Sequence, residues 1–285
     1  MTGKAQALQK AAVIVGATSK WQADGSSTAR VAGGAISDAG MPVGIRWGVG
    51  GALAQKFAAE GYLAVLTTRH AKNAAGLAEA IADRGGRALV VELDLESVSS
   101  IAAAFAEIRE QVGDPEVVIY NAGYSHGREL PKEMELLENL PDEIFETAIA
   151  LACRAPYLVA KQALPAMRRA GRGTFMLSNN QYSLHGRARR TGESLYYPRA
   201  LMRTLAQVLT EEYSPHGVHV ANVVIDGMID SPGTRAYGEG VYKAEQEAML
   251  DPMRIAETYW HIHQQHPSCW THDIQLTPYN RPVSR

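Results

Sequence analysis

Short, continuously apolar runs alternate with amphipathic stretches along this chain, and that alternation constrains the fold more than any other feature. The runs are Val13-Ile14-Val15, Leu63 to Leu66, Leu89 to Leu93, Val117 to Tyr120, Thr174 to Leu177 and Val218 to Ile225. Each has strand length and is apolar throughout, as expected for strands covered on both faces in a parallel sheet. Between them lie stretches such as Ser97 to Val112, where Ile101, Phe105, Ile108 and Val112 recur on one helical face. Strand and helix in alternation imply a doubly wound α/β sheet. No fixed-period repeat and no linker interrupts the pattern, so residues 1–285 are expected to form a single domain.

Charge and composition exclude several function classes. Lys plus Arg number 28 against 30 Asp plus Glu, and a nucleic-acid binder would carry a basic excess. No apolar stretch approaches the length of a membrane span, and the N-terminal MTGKAQALQKAAVIVGA lacks a signal-peptide cleavage pattern. Cys153 and Cys269 lie far apart and outside any CxxC arrangement. Neither a disulfide framework nor a thiolate metal site is expected, and a reducing cytoplasm is the expected location.

Gly44-Ile45-Arg46-Trp47-Gly48-Val49-Gly50 reads as GxxxGxG opening a helix. Glycines there let a backbone approach a pyrophosphate, while the helix N-terminus supplies N–H donors and dipole. Two excursions, about 18–43 after the first strand and about 231–252 after the strand ending near Ile225, fall where parallel strands end. Doubly wound sheets bind ligands at that edge, which makes both excursions candidate lids.

With Asp94 after the third run, Asn121-Ala122-Gly123 after the fourth, Pro165-Ala166-Met167 and His219 to Gly227 added to the glycine turn, nearly the whole chain resembles the short-chain dehydrogenase/reductase family. The resemblance implies a Rossmann-like fold. It departs in one respect, because Gly16 and Gly48 stand 32 positions apart where the family has one short turn. The cofactor site implied by the resemblance comprises Gly16, Gly44, Gly48, Gly50, Arg69, Asp94, Leu95, Asn121, Ala122, Gly123, Met228 and Ile229. Thr67-Thr68-Arg69-His70 carries no acid where NAD-preferring relatives accept bonds from a ribose hydroxyl, and Arg69 could pair with a 2′-phosphate. NADP(H) is therefore expected over NAD(H).

The family's Tyr-x-x-x-Lys is absent. Its Lys position falls on Arg199, Leu195 stands four residues earlier, and Tyr196 and Tyr197 lie just out of register. The helix Asn position falls on Ala152, and the Ser position is open among Ser178, Asn180 and Ser183. Ser183 and Tyr196 keep the family's thirteen-residue separation, which makes Ser183, Tyr196 and Arg199 the candidate catalytic set. Arginine cannot shuttle protons at neutral pH but can stabilise a phenolate by charge. Halohydrin dehalogenases, relatives with a Ser-Tyr-Arg triad, lack the nucleotide glycines this chain retains.

Arg187, Arg189 and Arg190 would suit an acidic substrate if they face the cleft, and Tyr124, His126 and Tyr182 are further candidate pocket residues. His261, His263, His266 and His272 have no acid or thiol at ligand spacing among the first three, so no metal is expected. The expected function is an NADP(H)-dependent oxidoreductase acting on a carbonyl or alcohol of a small organic substrate. The alternatives are a redox-neutral lyase or isomerase on the same scaffold, or a non-catalytic nucleotide-binding protein. The resemblance also implies a homodimer or homotetramer paired through long helices at about 141–170 and 195–213.

Overall fold

The computed structural model describes residues 10–18, 40–123, 138–184, 198–238 and 249–280. Within them, seven strands form one sheet in the order β3-β2-β1-β4-β5-β6-β7. The strands are β1 (Ala11–Val15), β2 (Leu63–Thr68), β3 (Arg87–Glu92), β4 (Val117–Tyr120), β5 (Gly173–Asn180), β6 (Val218–Ile225) and β7 (Asp273–Leu276). Every pairing is parallel. The helices are α1 (Gly48–Ala59), α2 (Ala75–Ala82), α3 (Val98–Val112), α4 (Asp142–Ile149), α5 (Ala155–Ala170), α6 (Pro198–Tyr213), α7 (Pro232–Gly238) and α8 (Pro252–Gln264).

Two apolar layers sandwich the sheet, and the period-two alternation of β1 feeds both. Val13 and Val15 join Phe105, Val159, Leu164 and Met202 from α3, α5 and α6. Ala12 and Ile14 join Leu53, Phe57, Leu77 and Tyr259 from α1, α2 and α8. Burial on both faces explains why these strands carry no polar alternation. Local signals set the helix ends. Ser97 accepts the Ser100 N–H at the start of α3, and Asp251 accepts the Met253 N–H before Pro252 opens α8.

β1 pairs with β2 on one side and β4 on the other. The strand order therefore reverses between β1 and β4, which places a ligand crevice at their carboxyl ends. Two boundaries differ from the sequence expectation. β3 covers Arg87–Glu92, starting two residues before the Leu89 to Leu93 run and ending one residue short of it. β5 continues through Ser178, Asn179 and Asn180, which stay in register with Val223, Val224 and Ile225. An apolar-run criterion stops at Leu177 because it does not anticipate that side-chain hydrogen bonds satisfy these polar residues. The long helix expected at about 141–170 is α4 and α5 joined by a π turn at Ala150–Arg154.

Candidate active site

At the switch point three backbone segments meet at distances only glycine permits. Gly16 follows β1 with φ +83°, and a Cβ there would lie 2.8 Å from the Ala122 Cα. A Cβ on Gly50, in the first turn of α1, would lie 2.2 Å from the Gly16 carbonyl oxygen. Gly48 opens α1 at φ +63°, and a Cβ on it would meet no described atom within 4 Å. The N-cap residue Trp47 makes no side-chain cap bond and the first turn of α1 holds no acid, so its N–H groups and positive dipole end suit a phosphate. The crossing is pinned by Asn121, whose backbone N–H donates to the Val15 carbonyl at 2.8 Å and whose side-chain amide donates to the Gly16 carbonyl at 3.1 Å.

Gly44 stands elsewhere. A Cβ on it would meet the Met253 side chain of α8, at 2.8 Å from Cγ. The glycine that packs against Gly50 is Gly16, whereas Gly44 packs against α8. The chain between Gly16 and Gly48 leaves at Thr18, and residues 19–39 lie outside the described set. It returns with Met41 and Ile45 buried and the Arg46 Nε donating to the Met41 carbonyl at 3.1 Å.

The other expected cofactor residues follow the carboxyl ends of β2, β3 and β6. Arg69 is exposed one residue beyond β2. Asp94 is exposed and accepts the Glu96 N–H at 3.0 Å, while Leu95 is buried. Met228 gives its carbonyl to the Leu250 N–H at 2.7 Å, and the Leu250 carbonyl accepts the Asp230 N–H at 2.9 Å. This bridge beside Ile229 closes the neck of the 231–252 excursion, of which 239–248 lie outside the described residues.

Arg199, in the first turn of α6, is buried. A Cβ on Gly123 would lie 3.0 Å from its terminal guanidinium nitrogen, so a cation sits against the end of the Asn-Ala-Gly segment. Burial pushes the phenol of Tyr120, at the end of β4, well above its ordinary range, and the nearby Arg199 charge pulls it partly back. The Tyr120 hydroxyl donates to the Leu151 carbonyl in the π turn at 2.6 Å. Ala152, at the family's helix Asn position, is buried in the same turn.

Of the Ser candidates, Ser178 accepts the Tyr259 hydroxyl at 2.7 Å, which ties it to the α8 layer. Ser183 is buried and donates to the Asn180 carbonyl at 2.7 Å. Asn180 ends β5 and accepts the Tyr182 N–H at 3.1 Å. Tyr196 and Tyr197, Leu195, Arg187, Arg189, Arg190, Tyr124 and His126 lie outside the described residues. Sequence reasoning missed Tyr120 and the polar pair Asn179 and Asn222. A tyrosine immediately before Asn-Ala-Gly and two buried-register asparagines were the available signals.

Among the described residues no group of three or more His, Cys, Asp and Glu side chains is arranged to hold a metal ion. His263 uses both ring nitrogens, with Thr174 at 2.8 Å and Tyr62 at 2.7 Å. His219 stacks on Trp270 with ring centroids 4.7 Å apart.

A family model described as Enoyl-(Acyl carrier protein) reductase matches residues 44–259. The chain belongs to the short-chain dehydrogenase/reductase family of oxidoreductases. It is 26% identical over 211 residues to the 3-oxoacyl-(acyl-carrier-protein) reductase FabG of Pseudomonas aeruginosa, covering 74% of this chain and 79% of that one. It superposes with a TM-score of 0.74 and 18% identity on L-sorbose reductase from Gluconobacter frateurii complexed with NADPH and L-sorbose, over 95% of each chain. An alcohol dehydrogenase from the archaeon Thermococcus sibiricus, complexed with 5-hydroxy-NADP, gives a TM-score of 0.73 at 21% identity, over 96% of this chain and 99% of that one. At these identities the two structures show the shared fold. No helix among the described residues is long and apolar enough to cross a membrane.

Proposed function

We propose that the chain is an NADP(H)-dependent oxidoreductase that interconverts a carbonyl and an alcohol on a small organic substrate. The observation that carries this reading is the meeting of Gly16, Gly50 and Ala122 beside a buried guanidinium, that of Arg199, at Gly123. The space that the described residues leave at Gly48 and the acid-free first turn of α1 fit a pyrophosphate. Arg69 would hold the 2′-phosphate, Asp94 and Leu95 the adenine, and Asn121 to Gly123 the cofactor wall. The backbone N–H groups of Met228 and Ile229 would meet the nicotinamide carboxamide. When bound, the cofactor supplies or accepts the hydride.

The chain's own groups handle the proton. Tyr196 would donate its phenolic proton to the carbonyl oxygen in the reductive direction. Arg199, which cannot itself give up a proton at neutral pH, would stabilise the phenolate by charge. Ser183 would anchor the substrate oxygen, which requires its hydroxyl to turn from the Asn180 carbonyl. Free thiols at Cys153 and Cys269 suit a reducing cytoplasm. Tyr157 on α5 and Leu201 and Val208 on α6 are large, apolar and exposed, which supports pairing of subunits through those helices into a homodimer or homotetramer.

The test is consumption of NADPH with a panel of aldehydes and ketones, neutral and carboxylate-bearing. Turnover that falls at least about a hundredfold in Tyr196→Phe, with NADPH affinity retained, is the expected result. Tight NADPH binding without turnover of any carbonyl would overturn the reading.

A further inference from the structure

A closed ring of side-chain hydrogen bonds starts and ends on α6. The Asn179 side-chain amide donates to the Arg199 carbonyl at 3.2 Å and to Asn222 Oδ1 at 3.3 Å. Asn222 Nδ2 donates to Asp273 Oδ1 at 3.2 Å. Asp273 Oδ2 accepts from the Arg203 Nε at 2.8 Å. Arg203 lies one helical turn beyond Arg199, so the path crosses β5, β6 and β7 and returns to the helix it left.

We propose that Asn179, Asn222 and Asp273 are positioning residues that fix the rotational phase of the first two turns of α6, and through it the placement of the Arg199 guanidinium. This rests on the reading of Arg199 given above. Asn179 and Asn222 are almost wholly buried, at 3% and 1% exposure, and buried amides are kept only where their bonds are made. Asn179 Oδ1 accepts the Asn180 N–H at 3.0 Å, so both polar atoms of its side chain are already bonded within the chain. The circuit is therefore an internal brace.

Phase matters because each helical residue turns the side chain by about 100°. A slip of one residue would swing the Arg199 guanidinium away from Gly123. Apolar packing alone tolerates such shifts, since Met202 and Leu209 can repack. A carbonyl at position 199 and a guanidinium at 203, both tied to one polar path, admit a single phase. The brace also reaches the surface, because the Asp273 side chain is 34% exposed.

Reversing the polarity of one link tests the proposal. Asn222→Asp sets a carboxylate against that of Asp273 and breaks the ring. Adding Asp273→Asn restores it, since the amide at 273 then donates to the carboxylate at 222 and still accepts from Arg203. For the single variant kcat is expected to fall about tenfold, with KM for NADPH within about twofold. The acid-to-base transition in its kcat profile should move to higher pH, as the proton donor loses its cationic neighbour. In the double variant both effects should revert. A double variant as impaired as the single one, or a single variant with an unmoved pH profile, would overturn the proposal.

Hydrogen exchange at amides 199–203 of the same proteins gives an answer independent of turnover. Faster exchange confined to this stretch in Asn222→Asp, and its reversal in the double variant, supports the brace even if no carbonyl is reduced and the functional reading fails. Equal exchange in all three proteins would refute it.

Discussion

The three glycines that sequence pattern alone treats as equivalent should separate sharply when each is replaced by alanine. At Gly50 the new Cβ would lie 2.2 Å from the Gly16 oxygen and 2.9 Å from the Ala17 carbonyl carbon. Carbon–oxygen contacts settle near about 3.3–3.6 Å, so β1 and α1 must part by about 1 Å. Both sides are backbone and neither can rotate away. Overpacking of this kind costs about 1–3 kcal/mol, with the upper end expected here, and the displaced helix start should bind NADPH at least about tenfold more weakly.

At Gly48 no described atom lies within 4 Å of the Cβ, and the cost to the free protein is the positive φ, about 1–2 kcal/mol. The same Cβ would enter the space assigned to the pyrophosphate, so affinity should suffer more than stability. At Gly44 the obstacle is the Met253 side chain at 2.8 Å, which can swing aside, and both losses should stay small. Urea denaturation and NADPH fluorescence titration of the three variants read the two quantities separately. If Gly44→Ala proved as damaging to NADPH binding as Gly50→Ala, the cradle would be the contiguous pattern after all and this reasoning would be wrong.

Two further outcomes follow from buried polar groups on α8 and β4. Burial is the main cause that holds the His263 imidazole down at about 4, with Glu116 opposing and Lys10 and His219 reinforcing the shift. Its ring is bonded by Tyr62 and Thr174. The unfolded chain thus binds the extra proton first as pH falls below its ordinary value of 6.5. Stability from this group is complete above about pH 6.5 and declines to a floor near pH 4, by about 3 kcal/mol in all. Urea midpoints of the wild type and His263→Gln across that window should converge toward pH 4, and a constant gap would contradict the assignment. Tyr120→Phe removes the donor to the Leu151 carbonyl and should lower stability by about 1–3 kcal/mol, whereas a change below about 0.5 kcal/mol would show that the π turn does not depend on it.

How much could be read without the structure follows the physics of each signal. Strands buried on both faces announce themselves as apolar runs, so six of the seven were legible, whereas β7 alternates polar and apolar residues over Asp273–Leu276 and forms no such run. Asn121-Ala122-Gly123 was legible because it marks a close approach that only small residues allow at Ala122. The different surroundings of Gly44 and Gly50 were not legible, because a glycine against a methionine side chain and a glycine against a backbone oxygen look alike in one dimension. Asn179, Asn222 and Asp273 were hidden for the opposite reason. Their partners are 43 and 51 positions apart in sequence, and only strand pairing brings them together. Arg199 was found by register counting, yet its burial against Gly123 depends on the phase of α6, which no local pattern encodes.

Cofactor chemistry in this chain stands or falls with Gly16, Gly48, Gly50 and Arg69 forming an NADP(H) site despite the long insertion. The most direct test is fluorescence titration of the purified protein with NADPH and, separately, NADH. Saturable NADPH binding at least about tenfold tighter than NADH is the predicted result, reduced toward parity in Arg69→Ala. Binding of neither dinucleotide would contradict the assignment.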